Sequence, residues 1–203
     1  MIQLFVLIET KEVFTEVIKK ELDYSRPDKW TLYPIGDIHL GVVHCDEDLL
    51  KEEVAKIKKD PHALWLGMGD YGDCITPSDF KRWEGRILAK WMQGNEDNIG
   101  PTQVDKVDEI LSPIWDKCVG LIEGNHDEGI RRYTHFDFMK ELLKRANHKK
   151  EPPWDKVPYA GPSCILALNF HRNNSNDARQ VVIHARHGEG AARTSGARAL
   201  AVL

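Results

Sequence analysis

At 203 residues the chain is long enough for one sizeable core and short for two. Apolar residues make up 41% and charged residues 30%, which excludes a disordered tract, and no run approaches the ~20 apolar residues of a membrane span. The net charge of -4 argues against a broadly basic nucleic-acid surface, while leaving local cation clusters such as Arg131, Arg132, Lys144, Arg145, Lys149 and Lys150, which read as a solvated helix face.

Residues 1–29 read as an N-terminal arm or an extra strand-helix unit. An apolar strand at 4–8 leads into a short amphipathic helix through Val13, Phe14, Val17 and Ile18, then a polar turn near Pro27. The strand is too short for a signal-peptide core, and Glu9 and Glu12 follow it at once. Four cysteines (Cys45, Cys74, Cys118 and Cys164) form no Cys-x-x-Cys pair, which fits reduced thiols better than a disulfide frame or zinc ribbon. Together these features predict a cytoplasmic protein.

The main domain, 30–203, opens on a strand at 30–35. Asp46 is set to cap a helix reaching Lys59, with Leu49, Leu50, Val54 and Ile57 on one face. A second strand at 63–66 follows Pro61. Residues 75–101 form a long excursion, part-helical around Trp83 to Trp91. A helix over 102–117 carries Val104, Val107, Leu111, Ile114 and Cys118 on one side, and a third strand spans 119–122. A helix at 138–146, a Pro-rich loop at 152–162 and strands at 164–170 and from 180 to 184 or beyond complete the order. This alternation is that of an α/β fold, whose ligands gather beyond the carboxyl ends of the strands.

Polar motifs begin where those strands stop. Asp37 and His39 alternate around Ile38, so in an extended segment both would point the same way and suit a divalent ion. Asp70 and Asp73 lie in a turn bracketed by Gly67, Gly69 and Gly72. Asn125, His126 and Asp127 follow Gly124; an amide oxygen, an imidazole and a carboxylate offer a ligand, a proton donor and its support. His187-Gly188 ends the last strand, with Gly190, Arg193 and Gly196 beyond. His184 competes with His187 for this role, but the two face opposite ways in a regular strand, and His187 at the strand end is preferred. His44, His62, His135, His148 and His171 stand outside any motif.

In this order, Asp-x-His, Gly-Asp-x-x-Asp, Gly-Asn-His-Asp and His-Gly resemble the calcineurin-like metallophosphoesterase family, with wording similar to phage and bacterial members. The resemblance spans 30 to about 196 and implies a four-layer α/β/β/α sandwich holding two divalent ions. Manganese is the first choice of ion, with iron, zinc, nickel or magnesium as alternatives. It implies that Asp37 and His39 bind the first ion, Asp70 bridges, and Asn125 and His187 bind the second. His126 would be the catalytic imidazole, oriented by Asp73 or Asp127, with Asp73 preferred. The implied reaction is hydrolysis of a phosphomonoester or phosphodiester by metal-activated water, and the substrate class extends to nucleotides and nucleic acids.

One departure stands out. Family members continue to Gly-His-x-His, which this sequence lacks; it closes on Ala199-Leu200-Ala201-Val202-Leu203, which reads as an interrupted core element. The domain is therefore expected to be incomplete at its C-terminus, and a non-catalytic remnant that binds metal weakly or acts as an interaction domain is the alternative.

Overall fold

A strand buried at every position needs cover on both faces. The run Ala63–Gly67 is such a strand, and the fold is arranged around it. The computed structural model describes residues 15–148 and 156–188. In chain order these give β1 (Glu16–Tyr24), β2 (Thr31–Ile35), α1 (Glu47–Lys59), β3 (Ala63–Gly67), α2 (Ile99–Leu111), β4 (Cys118–Leu121), α3 (Asn125–Thr134), α4 (Phe138–Ala146), β5 (Ser163–Arg172) and β6 (Ala178–Arg186). This is a mixed α/β structure with two small sheets.

The first sheet has the order β2-β3-β4, all parallel; the second has β1-β5-β6, with β1 parallel and β6 antiparallel to β5. Alternation along β3 sends Leu64 and Leu66 to one side and Ala63 and Trp65 to the other. On the first side Leu64 and Leu66 meet Ile18, Leu22, Cys164, Leu166 and Leu168 of the second sheet. On the second side Trp65 packs with Ile57, Val104, Val107, Ile130, Phe138 and Leu142 from the four helices. The Trp65 indole is satisfied there too, donating to the Ile114 carbonyl at 2.7 Å. Fully burying one such Leu or Ile stabilises by ~1.5–3 kcal/mol, so the layers need no other glue.

Several elements follow the sequence closely. Asp46 caps α1, its side chain accepting the Leu49 N–H at 3.0 Å, and Val54 and Ile57 are buried as expected while Leu49 is exposed. The helix expected over 102–117 instead starts at Ile99 and stops at Leu111, and the chain tightens into a 3-10 segment, Ser112–Lys117. Pro113 accounts for the break, because it cannot donate to the helical ladder. The excursion at 75–98 holds only two single turns, Gly85–Ile87 and Glu96–Asn98.

The largest correction concerns 1–29. Val17 and Ile18 are not helical: they lie in β1, which pairs along its whole length with β5. Ile18 and Leu22 are four apart, a spacing that a helix stripe and a strand face share. Gly120 of β4 decides how Ile18 sits, since a Cβ there would lie 2.7 Å from Ile18 Cδ1. Within it, Glu16–Tyr24 is thus a sheet strand, and the helix expected through Val17 and Ile18 does not form. The expected strand at 4–8, with Val13 and Phe14, lies outside the described residues, as does the apolar 199–203 run.

No helix among the described residues is long and apolar enough to cross a membrane. Since Ile18 and Leu22 face the inter-sheet core and Val17 faces out, Ile18→Ala and Leu22→Ala should each lower unfolding free energy by ~2–4 kcal/mol in urea titration. Val17→Ala should change it by less than ~0.5 kcal/mol; equal losses at all three would contradict the strand.

Candidate metal centre

Each parallel strand of the first sheet gives out into a loop that carries two of the candidate residues. Asp37 and His39 follow β2, Asp70 and Asp73 follow β3, and Asn125 and His126 follow β4 at the start of α3. Backbone bonds lay the first two loops side by side: the Asp37 N–H donates to the Gly69 carbonyl and the His39 N–H to that of Asp70, both at 3.0 Å. In this arrangement Asp37, His39 and Asp70 have φ of 50°, 47° and 54°. That left-handed region is uncommon outside glycine, and Asp and His are among the types that tolerate it.

The expected reason for pairing Asp37 with His39 therefore does not hold. The extended strand has ended before them, and their side chains enter two neighbouring clusters. Asp37 joins Asp70 and His187, while His39 joins Asp73 and His126, the ligand atoms of each group lying within 4.8 Å of one another. Asp70 connects the two. Its Oδ2 lies 3.4 Å from His187 Nε2 and 3.7 Å from His39 Nε2.

His187 is buried at the end of β6, whereas His184, three residues earlier, is exposed on the outer face of its sheet. His187 Nδ1 lies 2.7 Å from the Met68 carbonyl and Nε2 lies 3.0 Å from Asn125 Oδ1. A carbonyl only accepts, so Nδ1 carries the proton and Nε2 turns its lone pair toward two further acceptors, Asn125 Oδ1 and Asp70 Oδ2. Three converging lone-pair donors repel unless a cation or a proton lies among them. Atoms bound to one ion at ~2.0–2.2 Å lie about 3 Å apart, so the donor set fits a divalent metal in both chemistry and spacing.

His126 is held differently. Its Nδ1 lies 2.5 Å from the backbone carbonyl of Asp73, while the Asp73 carboxylate is 3.9 Å from both His126 Nδ1 and His39 Nδ1. The His39 and His126 rings meet edge to face, with centroids 4.6 Å apart. Burial raises the Asp73 carboxyl above its usual range, and the His126 and His39 imidazoles pull it back down.

Asp127 does not orient the imidazole. Fully buried, its Oδ2 accepts the backbone N–H of Asp70 at 2.8 Å and of Gly124 at 3.0 Å, and its Oδ1 that of Tyr71 at 3.1 Å. In return Asp70 Oδ1 accepts the His126 N–H at 2.9 Å, one of the donors that a helix start leaves unpaired. Burial pushes the Asp127 carboxyl up to about 7, opposed by those same amide donors. Two glycines admit this close approach. A Cβ on Gly124 would lie 2.1 Å from Asp70 Oδ1, and one on Gly69, at φ +91°, would lie 2.7 Å from Gly124.

Gln103 also belongs to the frame, buried on α2 with its Oε1 accepting the Cys74 N–H at 3.0 Å. Its only signal in the sequence is a lone amide four residues before Val107 on an apolar stripe. The basic cluster reads as the sequence suggested. Arg131 pairs with Glu123 and Asp137, Arg132 with Glu128, Lys144 with Glu141 and Arg145 with Asp105; Lys149 and Lys150 lie outside the described residues. So do Gly190, Arg193 and Gly196.

No family model matches the chain, and neither curated proteins nor solved structures give a significant match.

Asp127→Asn should lose ~1–3 kcal/mol of stability in urea titration, because the amide's NH₂ must oppose a buried N–H donor. The same variant should weaken Mn²⁺ binding in calorimetry through the displaced Asp70; unchanged stability and affinity would contradict the bracing role.

Proposed function

We propose that the chain is a metal-dependent phosphoester hydrolase of the calcineurin-like kind, acting on a phosphomonoester or phosphodiester. The observation that carries this reading is the single carboxylate oxygen of Asp70 standing between His187 and His39, one from each cluster. The resemblance would give Asp37, His39 and Asp70 to one ion and Asp70, Asn125 and His187 to the other, whereas the clusters group Asp37 with His187 and His39 with Asp73 and His126, so Asp70 is the carboxylate that both ions would share. Face-to-face sheets with helices outside one of them agree with part of the expected four-layer sandwich. A helical layer over the β1-β5-β6 sheet is not among the described elements.

Bound divalent ions supply Lewis-acid polarisation of a phosphoryl oxygen and a water acidic enough to ionise near neutral pH. The protein's own part is positioning and proton handling. With Nδ1 fixed on the Asp73 carbonyl, His126 keeps Nε2 for a proton, which the leaving oxygen requires. Asp70 and Asn125 hold their oxygens against His187 without rotating, because the Asp70 turn and the start of α3 are tied together. Cys74 borders the cluster but is buried, and burial raises its thiol well above the usual range, which disfavours a thiolate and supports direct attack by water.

Hydrolysis of bis-p-nitrophenyl phosphate by the purified chain with and without Mn²⁺ tests the reading. Activity should require the metal and disappear in Asp70→Asn. His126→Ala should be slower by roughly 10²–10⁴-fold, the usual contribution of a general acid. His184→Ala should match the wild type. A folded chain with no metal-dependent turnover would leave a non-catalytic metal-binding domain as the better account.

A further inference from the structure

Close to the centre, the excursion after β3 carries a turn that Trp83 anchors on Leu88, Met92 and Ile99 and that the metal clusters do not explain. At 79–83 the chain folds back on itself: the Asp79 carbonyl accepts the N–H of Arg82 at 3.0 Å and of Trp83 at 2.9 Å, and the Asp79 N–H donates to the Thr76 carbonyl at 2.9 Å. The Asp79 side chain is buried and holds Arg82 Nε at 2.5 Å. That bond uses one edge of the guanidinium and leaves the terminal nitrogens to donate elsewhere. Arg82 Nη2 lies 3.6 Å from where a Cβ on Gly129 would stand, three residues along α3 from His126. Its positive charge also reaches the Asp73 carboxylate, on which it acts to lower the pKa.

Two residues before Arg82, Phe80 is 81% exposed, the barest large apolar side chain among the described residues. From Asp79 to Lys90 the sequence holds Lys81, Arg82, Arg86 and Lys90 against two carboxylates, Asp79 and Glu84, with Arg82 paired to the first and Arg86 to the second. On a chain of net charge -4 this is a local reversal of sign beside a pit of carboxylates. An exposed phenyl ring gains nothing from water, and the guanidinium two residues further along the turn has terminal nitrogens to offer a phosphate. A phosphopeptide would use the charge, and the ring only where an apolar residue happens to flank the phosphate. A single nucleic-acid strand uses both, since every phosphate is followed by a base with a π face.

We propose that the 79–83 turn is the substrate-binding lip of the site and takes single-stranded nucleic acid, Arg82 holding a backbone phosphate and Phe80 stacking on a base. The proposal rests on the hydrolase reading for where the strand leads, but binding alone reads it out.

The experiment is fluorescence anisotropy of a labelled single-stranded DNA on the full chain with Mn²⁺, beside an abasic strand of equal length and a phosphopeptide of equal charge. Strand integrity is followed separately on gels. Wild type should favour the base-bearing strand over the abasic one by about 5- to 150-fold, the range for one base–aromatic stack. Phe80→Ala should remove that preference and Phe80→Trp should restore it; the ring's exposure makes misfolding a poor explanation of any loss. Arg82→Ala should weaken both strands and reduce the salt slope by about 0.7, the change expected when one phosphate of a single strand is no longer neutralised. Equal binding of base-bearing and abasic strands, no effect of Phe80→Ala, or equal binding of the phosphopeptide would overturn the proposal. Base-dependent binding by a chain that leaves both the strand and bis-p-nitrophenyl phosphate intact would sink the hydrolase reading and leave this one standing; cleavage indifferent to Phe80 would do the reverse.

Discussion

Everything at the centre depends on a mutual exchange between two carboxylates. Asp127, from the first turn of α3, accepts the backbone N–H groups of Asp70 and Tyr71; Asp70, from the loop after β3, accepts the N–H of His126 at the start of α3. Each segment satisfies donors that the other cannot satisfy for itself. The cost of leaving a buried amide unpaired makes the pairing hard to lose. It also sets the spacing of everything around it. Gly124 and Gly69 lack side chains because the segments approach too closely for one, and His187 is brought against Asn125 by the same approach. A carboxylate that ends a strand could turn in many directions; this one has its direction fixed by a helix that begins 55 residues later in the chain.

The charge pattern follows from that geometry. Asp37, Asp70 and Asp73 converge with three imidazoles, and Asp127 lies buried behind them. The amino end of α3 points its partial positive charge at Asp70, which eases one of these carboxylates but not the set. A site of this composition attracts a cation and repels a phosphate until the cation has arrived. Carboxylates so placed could hold a metal ion, and on the proposed reading any handle on an anionic substrate has to come from elsewhere on the surface.

How much of this is legible in the sequence varies with the physics of each element. The parallel strands at β2, β3 and β4 and the helices α1 and α4 are readable because local pattern and burial agree there. So is the gathering of motifs at the strand ends, since Asp, His and Asn follow apolar runs that could only be core. β1 misleads because Ile18 and Leu22 fit either period, and only its pairing with β5 decides between them. The role of Asp127 misleads for a related reason. Its neighbour in sequence is His126, but its partners are amides at positions 70 and 71 and at the helix cap, which no local pattern reveals. Gln103 and the 79–83 turn give no such signal because neither belongs to a motif; their importance is set by what the fold places beside them.

The left-handed backbone at Asp37, His39, Asp70 and Cys74 has a consequence for how this chain can change. A non-glycine residue in that conformation costs about 1–2 kcal/mol, somewhat less for Asp and His, and here four of them crowd one site. Glycine would relax the strain at Asp37 and His39, whereas at Asp70 it would also remove the acceptor of the His126 N–H, so only the first two are disfavoured by backbone strain alone. On the proposed hydrolase reading, that strain is the cost the loops bear to place two aspartates and a histidine at 37, 70 and 39.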